Sequence, residues 1–162
     1  LLKQEETQNR DGMDASLILL HKTDNQFKSF EFAGAKNPLY FIQNFQQDSE
    51  QNFVQNSEMK VIKGDKFPIG GYQRETERFF TKHTSEITSE TMFYLFSDGY
   101  QDQFGGAKKR KFMTRNFRRL LAEISTKSTD EQHQTLENRL LEWMQLGQEK
   151  QNDDILVIGF RV

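Results

Sequence analysis

The chain contains no cysteine. That excludes disulfides, thiolate nucleophiles and cysteine-ligated zinc, and it fits a reducing compartment, taken here as the cytoplasm. No apolar run approaches the roughly 18 to 20 residues that span a bilayer, so no membrane contact is expected of this segment. Excess charge is small as well: 22 lysines and arginines against 24 aspartates and glutamates leave a net charge of −2, and no global field favours nucleic acid or acidic lipid. Hydrophobic residues make up a lean 35%, so part of the chain is expected in exposed loops. A signal peptide and an initiator methionine are also missing. The chain opens on Leu1-Leu2-Lys3 and reads as part of something longer. Its 162 residues suffice for one domain with a real core.

The most informative stretch is Thr91 to Gly106. The aromatic run Met92-Phe93-Tyr94-Leu95-Phe96 ends in Ser97-Asp98-Gly99. It is short and bounded by a turn, which predicts a buried strand. Asp98 then stands where the strand runs out, and Gly99 lets the backbone turn sharply. Such an aspartate also begins many ordinary turns. Near the end, Asn152-Asp153-Asp154 precedes the apolar run Ile155 to Val162, so here carboxylates open a strand. Antiparallel pairing of the two strands would bring Asp98 and Asp153 to one edge of the sheet. Clustered carboxylates that stay ionised suit a hard divalent cation, Mg²⁺ or Mn²⁺.

The rest of the chain supplies more strands and one helix pair. Residues 1 to 10 read as the tail of a helix. Asp11-Gly12-Met13-Asp14 is a turn into the strand Ser16–Leu20, whose near-continuous apolarity predicts burial on both faces. Phe27 to Phe32 alternates, with Phe30 and Phe32 on the buried side. Gly34 to Pro38 is a turn, and Leu39–Ile42 is expected to return as the second arm of a hairpin. Phe45 to Glu58 reads as loop, Met59 to Ile62 as a short strand, Pro68 to Gly71 as a break, and Arg78 to Ile87 as a further strand. Then the period changes. Met113, Phe117, Leu120, Leu121 and Ile124 form a helical stripe. Ser128 and Glu131 have capping-box spacing for a second helix, striped by Leu136, Leu140, Trp143 and Met144 and closed near Gly147. Three strands apolar on both sides need cover on both sides, so two packed sheets with helices outside them are expected. The helix pair supplies one outer layer.

In this order the motifs resemble the SpoIIE-like branch of the metal-dependent serine/threonine protein phosphatases, the protein phosphatase 2C superfamily. Asp11-Gly12-Met13-Asp14 precedes a strand. Phe32-Ala33-Gly34-Ala35-Lys36-Asn37-Pro38-Leu39-Tyr40 is similar to the family's Ala-Gly-x-x-Pro-Leu segment, and Phe67-Pro68-Ile69-Gly70 to its Pro-x-Gly loop. Phe96-Ser97-Asp98-Gly99 resembles its metal-binding Ser-Asp-Gly turn. Gln151-Asn152-Asp153-Asp154 and the closing strand match its terminus. The likeness runs from about residue 11 to the end.

The resemblance implies an α+β fold, an αββα four-layer sandwich of two antiparallel sheets flanked by helix pairs, with its N-terminal part missing here. Residues 1–162 would be the C-terminal two-thirds or so of a single phosphatase domain. It implies hydrolysis of phosphoserine or phosphothreonine in a partner protein, with two Mn²⁺ or Mg²⁺ ions activating a water. Asp98 and Asp153 would be metal ligands, with Asp154, Gly99 and Asp14 supporting them. By analogy the substrate is a phosphorylated anti-sigma-factor antagonist, and a sensor domain lies upstream in the parent chain. The family's first metal motif, an Asp followed closely by Gly-His-Gly, is not in this sequence, and His21, His83 and His133 stand in no such context. The fragment alone is therefore expected to be inactive. The alternative is a non-catalytic protein-binding module on the same fold. The basic run Lys108, Lys109, Arg110, Lys111, Arg115, Arg118 and Arg119 suits a phosphorylated or acidic partner, nucleic acid, or a plain solvated helix face. No aromatics are interleaved for base stacking, and the solvated face is the simplest reading. Asp11 and Asp14 need no role beyond the turn.

Overall fold

A computed structural model describes residues 11–43, 58–71 and 77–162. The expected helix tail over 1–10 and most of the expected loop at 45–58 lie outside them. In chain order the elements are β1 (Gly12–Met13), β2 (Ala15–Thr23), β3 (Gln26–Ala35), β4 (Leu39–Gln43), β5 (Lys60–Ile62), β6 (Ile69–Gly70), β7 (His83–Glu86), β8 (Thr91–Phe96), α1 (Gly99–Asp102), β9 (Phe104–Gly105), β10 (Arg110–Lys111), α2 (Thr114–Ile124), α3 (Thr129–Gly147) and β11 (Val157–Arg161). They fall into two units, one of Leu1–Tyr40 with Val61–Thr88, the other of Phe41–Lys60 with Ser89–Val162. The sheets are antiparallel, as expected of an α+β chain.

In the first unit β3 lies between β2 and β7. The β2–β3 hairpin turns at Asp24 and Asn25, both left-handed with φ of 48° and 63°, the geometry that matches strand twist. Phe30 and Phe32 are buried on β3, as their alternation predicts. Three expectations fail here. Leu39–Gln43 is not the partner of β3 but belongs to the other sheet. The end of β3 is already engaged: Asp65 N–H donates to the Gly34 carbonyl and Lys36 N–H to the Asp65 carbonyl, both at 2.8 Å. Nor is β2 buried on both faces, since Leu17 is 69% and Leu19 52% exposed. Among the described residues it is an edge strand with one neighbour, and its side chains alternate about that single sheet. Finally, the strand expected from Arg78 starts only at His83. Arg78 Nη1 turns instead to the Pro68 and Gly70 carbonyls, at 3.1 and 2.6 Å, and the Asp65 carboxylate takes the Thr81 N–H and hydroxyl.

The second unit is built around β8, which lies between β11 and β4 in a sheet of order β11-β8-β4-β5. Both of its faces are packed. Met92, Tyr94 and Phe96 meet the helices: the Tyr94 hydroxyl donates to Gln132 Oε1 at 2.7 Å, and Phe96 stands edge-on to Phe117. On the other side Phe41, Phe93 and Phe160 stack in a row across three strands. Burial pushes the Tyr94 and Tyr100 hydroxyls well above the ordinary phenol range, so both stay neutral; Arg161 and Arg139 oppose this weakly.

Helix α2 buries Phe117, Leu120, Leu121 and Ile124. Met113, expected at the head of that stripe, precedes the helix with φ 77° and is exposed. Helix α3 has the capping box that its sequence predicts: Ser128 Oγ accepts from Glu131 N–H at 3.3 Å, and Ser128 N–H donates to Glu131 Oε2 at 3.0 Å. The Ser128 hydroxyl also donates to Glu131 Oε2 at 2.8 Å, and this bond first, then the one from Ser128 N–H, holds the Glu131 carboxyl below its usual value. Gly147 does not form the left-handed cap, which is Gln148 at φ 54°. It is needed for contact: a Cβ at Gly147 would lie 2.6 Å from Gly105 Cα. Among the described residues this helix pair is the one helical layer, and no helix is long and apolar enough to cross a membrane.

Candidate functional site

Strand β8 leaves the sheet at Phe96, opposite Val157 of β11, so the exit of one strand lies beside the entry of the other. Ser97 extends this ladder beyond its last pair. Its N–H donates to the Leu156 carbonyl at 3.0 Å, and its hydroxyl donates to the Asp154 carbonyl at 2.9 Å while accepting from Leu156 N–H at 3.0 Å. Three bonds from one serine thus fasten the turn carrying Asp98 to the loop carrying Asp153 and Asp154. Gly99 permits this approach, because a Cβ there would lie 2.4 Å from the Asp154 carbonyl oxygen. Asp98 stands at the N-terminus of α1, yet its side chain caps nothing. In the loop, Asp154 N–H donates to Asp153 Oδ1 at 2.8 Å and fixes one carboxylate oxygen. Asp98, Asp153 and Asp154 are all exposed.

A buried glutamine braces the same corner from behind. Gln103 has no exposed surface. Its side-chain NH₂ donates to the Lys150 carbonyl and Asn152 Oδ1, at 2.8 and 2.9 Å, and its Oε1 accepts from Asn152 N–H at 3.1 Å. Its own carbonyl receives Trp143 Nε1 at 3.1 Å, so Trp143 is more than core filling. Ser97, Gln103 and Asn152 are positioning residues that sequence reasoning passed over. No local signal marks Gln103, which follows Gln101 and Asp102 in a polar stretch.

Of the residues singled out from sequence, Asp98, Gly99, Asp153 and Asp154 converge on this corner. Asp14 lies in the other unit, where its carboxylate is 3.2 Å from Lys36 Nζ. Among the described residues no three histidine, aspartate or glutamate side chains form a metal-holding group. The corner carboxylates fit a hard cation in kind, being exposed oxygen donors on fixed backbone. In number they leave most of a six-coordinate shell to water and other ligands.

The SiaA-PP2C domain of Pseudomonas aeruginosa has a similar fold, with a TM-score of 0.71 at 27% identity, over 92% of this chain and 51% of that one. The phosphatase domain of the cell fate determinant SpoIIE from Bacillus subtilis, presoaked with manganese, superposes with a TM-score of 0.52 at 16% identity, over 91% of this chain and 56% of that one, a likeness of fold alone. The chain thus spans about half the length of the solved structures it matches. No curated protein sequence matches it. The fold is that of a phosphatase 2C-type domain. The family model of Stage II sporulation protein E, SpoIIE, matches residues 4–162, and the chain belongs to that family.

Proposed function

We propose that this chain carries part of the metal site of a serine/threonine protein phosphatase, acting on a phosphorylated partner protein. The observation that supports it best is the corner itself: Ser97 bonds the Asp98 turn to the Asp153-Asp154 loop through both its backbone and its hydroxyl. Asp98 and Asp153 would hold a divalent cation, Mn²⁺ or Mg²⁺, and Asp154 acts through its backbone N–H, which orients Asp153. When bound, such ions acidify a water and neutralise charge on phosphoryl oxygens. The chain's own contribution is positional. Gly99 keeps the backbone low enough for the two turns to touch, and Gln103 keeps the second loop from drifting.

The test is hydrolysis of phosphoserine and phosphothreonine peptides by the full-length protein in Mn²⁺, with and without chelator. The proposal expects turnover that chelation abolishes and that Asp98→Asn or Asp153→Asn lowers by at least about a hundredfold. Turnover indifferent to chelator, or to both substitutions, would refute it.

A further inference from the structure

The last turn of α3 is docked onto the segment that follows α1. Trp143 holds that segment in three ways. Its Nε1–H donates to the Gln103 carbonyl at 3.1 Å, its carbonyl accepts from Gly106 N–H at 2.8 Å, and its ring stands edge-on to Phe112 with centroids 5.3 Å apart. The approach is close enough that a Cβ on Gly105 or Gly106 would lie 2.5 Å from the Trp143 ring. On the Asp98 side α3 is tied as well, because the Tyr100 hydroxyl donates to the Leu136 carbonyl at 2.9 Å.

Gln103 passes this placement on. Its carbonyl takes a second donor, Phe112 N–H at 2.9 Å, and its side-chain NH₂ reaches the Phe104 carbonyl at 2.9 Å besides Lys150 and Asn152. Both polar atoms of the side chain are engaged and none of its surface is exposed. A buried amide satisfied in this way specifies one arrangement, since any other leaves a donor or acceptor without its partner. The chain also runs directly from α3 into the loop of Asp153, but residues 148–152 are irregular, and Gln103 fastens them at Lys150 and Asn152. Elsewhere α3 is lightly held. Of its 19 residues only Gln132, near its start, and Gly147, at its end, are buried. Its middle residues Leu136 and Leu140 line a hollow of about 500 Å³ that Gln151, Ile155 and Leu156, on either side of the two aspartates, line too. Along its middle α3 thus faces the loop across a hollow, and the hydrogen-bonded connection runs through Trp143 and Gln103.

We infer that Trp143 positions the metal pair through Gln103, so that the place of the last turn of α3 sets how tightly the corner holds its cation. The inference rests on the reading of Asp98 and Asp153 as cation ligands. Both residues are positioning residues: they act on where Asp153 stands, as partners outside a metal's own ligands do. A role in core filling would ask only for apolar volume at position 103 and an aromatic ring at position 143. The structure uses the amide and the indole N–H instead.

The test uses the full-length protein and two readouts: Mn²⁺ affinity by calorimetry and, in EDTA, hydrogen–deuterium exchange of residues 150–154. Gln103→Leu keeps the volume and removes the amide. It is expected to weaken Mn²⁺ binding about tenfold and to speed exchange at Asn152. Trp143→Phe keeps a ring and removes the N–H, and is expected to weaken binding about threefold. The double variant should bind no worse than Gln103→Leu alone, since the tryptophan acts through the glutamine. Asn152→Ala changes an exposed residue, leaves the core intact, and should also weaken binding about threefold. Ser128→Ala loosens the same helix from its other end and should leave both readouts at their wild-type values. Wild-type affinity in Gln103→Leu and Asn152→Ala, unchanged exchange, additive loss in the double variant, or an equal loss in Ser128→Ala would each overturn the inference. If Asp98→Asn and Asp153→Asn bind Mn²⁺ as the wild type does, the ligand reading falls and this inference with it. Weakened binding in those two, with wild-type binding in Gln103→Leu, sinks this inference alone.

Discussion

Strands β2 and β8 look alike in sequence and behave differently in the fold. Both are runs of large apolar residues next to an aspartate-containing turn. In β8 every residue from Thr91 to Tyr94 is buried; in β2 Leu17 and Leu19 stand in the open. The difference is in their neighbours. β8 has a strand on each side and helices over one face, whereas among the described residues β2 has one strand beside it and an exposed face at Leu17 and Leu19. Apolar sequence therefore reports what a surface is suited to join, and neighbours decide what is buried.

The comparison is broken most directly by truncating one side chain from each strand. Phe93→Ala removes the middle ring of the Phe41–Phe93–Phe160 row and should cost about 3–5 kcal/mol in denaturant unfolding. Leu17→Ala should stay within about 0.5 kcal/mol. Equal costs would mean that β2 is packed as deeply as β8.

A smaller effect is expected where β8 ends. Gly99→Ala forces a methyl group against the Asp154 carbonyl and should cost about 1–3 kcal/mol, with the loop of Asp153 displaced. Ser97→Ala leaves two backbone groups without their bonds and should cost about 1 kcal/mol. If Gly99→Ala unfolds at the wild-type midpoint, the two turns do not touch as described.

The helix behind the sheet gives the gentlest test. Ser128→Ala removes the capping box of α3 and should cost about 1 kcal/mol. Its pH dependence has a definite sign. The Glu131 carboxyl is held below its ordinary value by hydrogen bonds from Ser128, so its stabilisation is present above the unfolded carboxylate value of about 4.3 and is lost as pH falls through the lower native value. In Ser128→Ala that acid-side loss should shrink; an unchanged profile would show that the cap does not hold the carboxylate.

Much of the second unit is legible in the chain. The aromatic run predicts β8, the 3.6-residue stripe predicts α2, and Ser128 with Glu131 predicts where α3 begins. These are local signals, each set by residues a few positions apart. The corner was legible on one condition: if the two strands pair antiparallel, as β8 and β11 do, the exit of one lies beside the entry of the other. What was hidden is non-local. Nothing near Leu39 shows that Asp65, some 26 positions on, occupies the end of β3 and sends β4 to another sheet. Nothing near Ser97 shows that its hydroxyl reaches Asp154 and Leu156. Gly147 illustrates the reverse case, a glycine expected as a cap that is kept for the approach of Gly105.

The central claim is that Asp98 and Asp153 act on one cation. The most direct measurement is Mn²⁺ affinity of the full-length protein, by calorimetry, for wild type, Asp98→Asn, Asp153→Asn and the double variant. Shared ligation predicts that each single change weakens binding by about tenfold or more and that the double change is much less than the sum of the two. Wild-type affinity in both single variants, or fully additive losses, would contradict it.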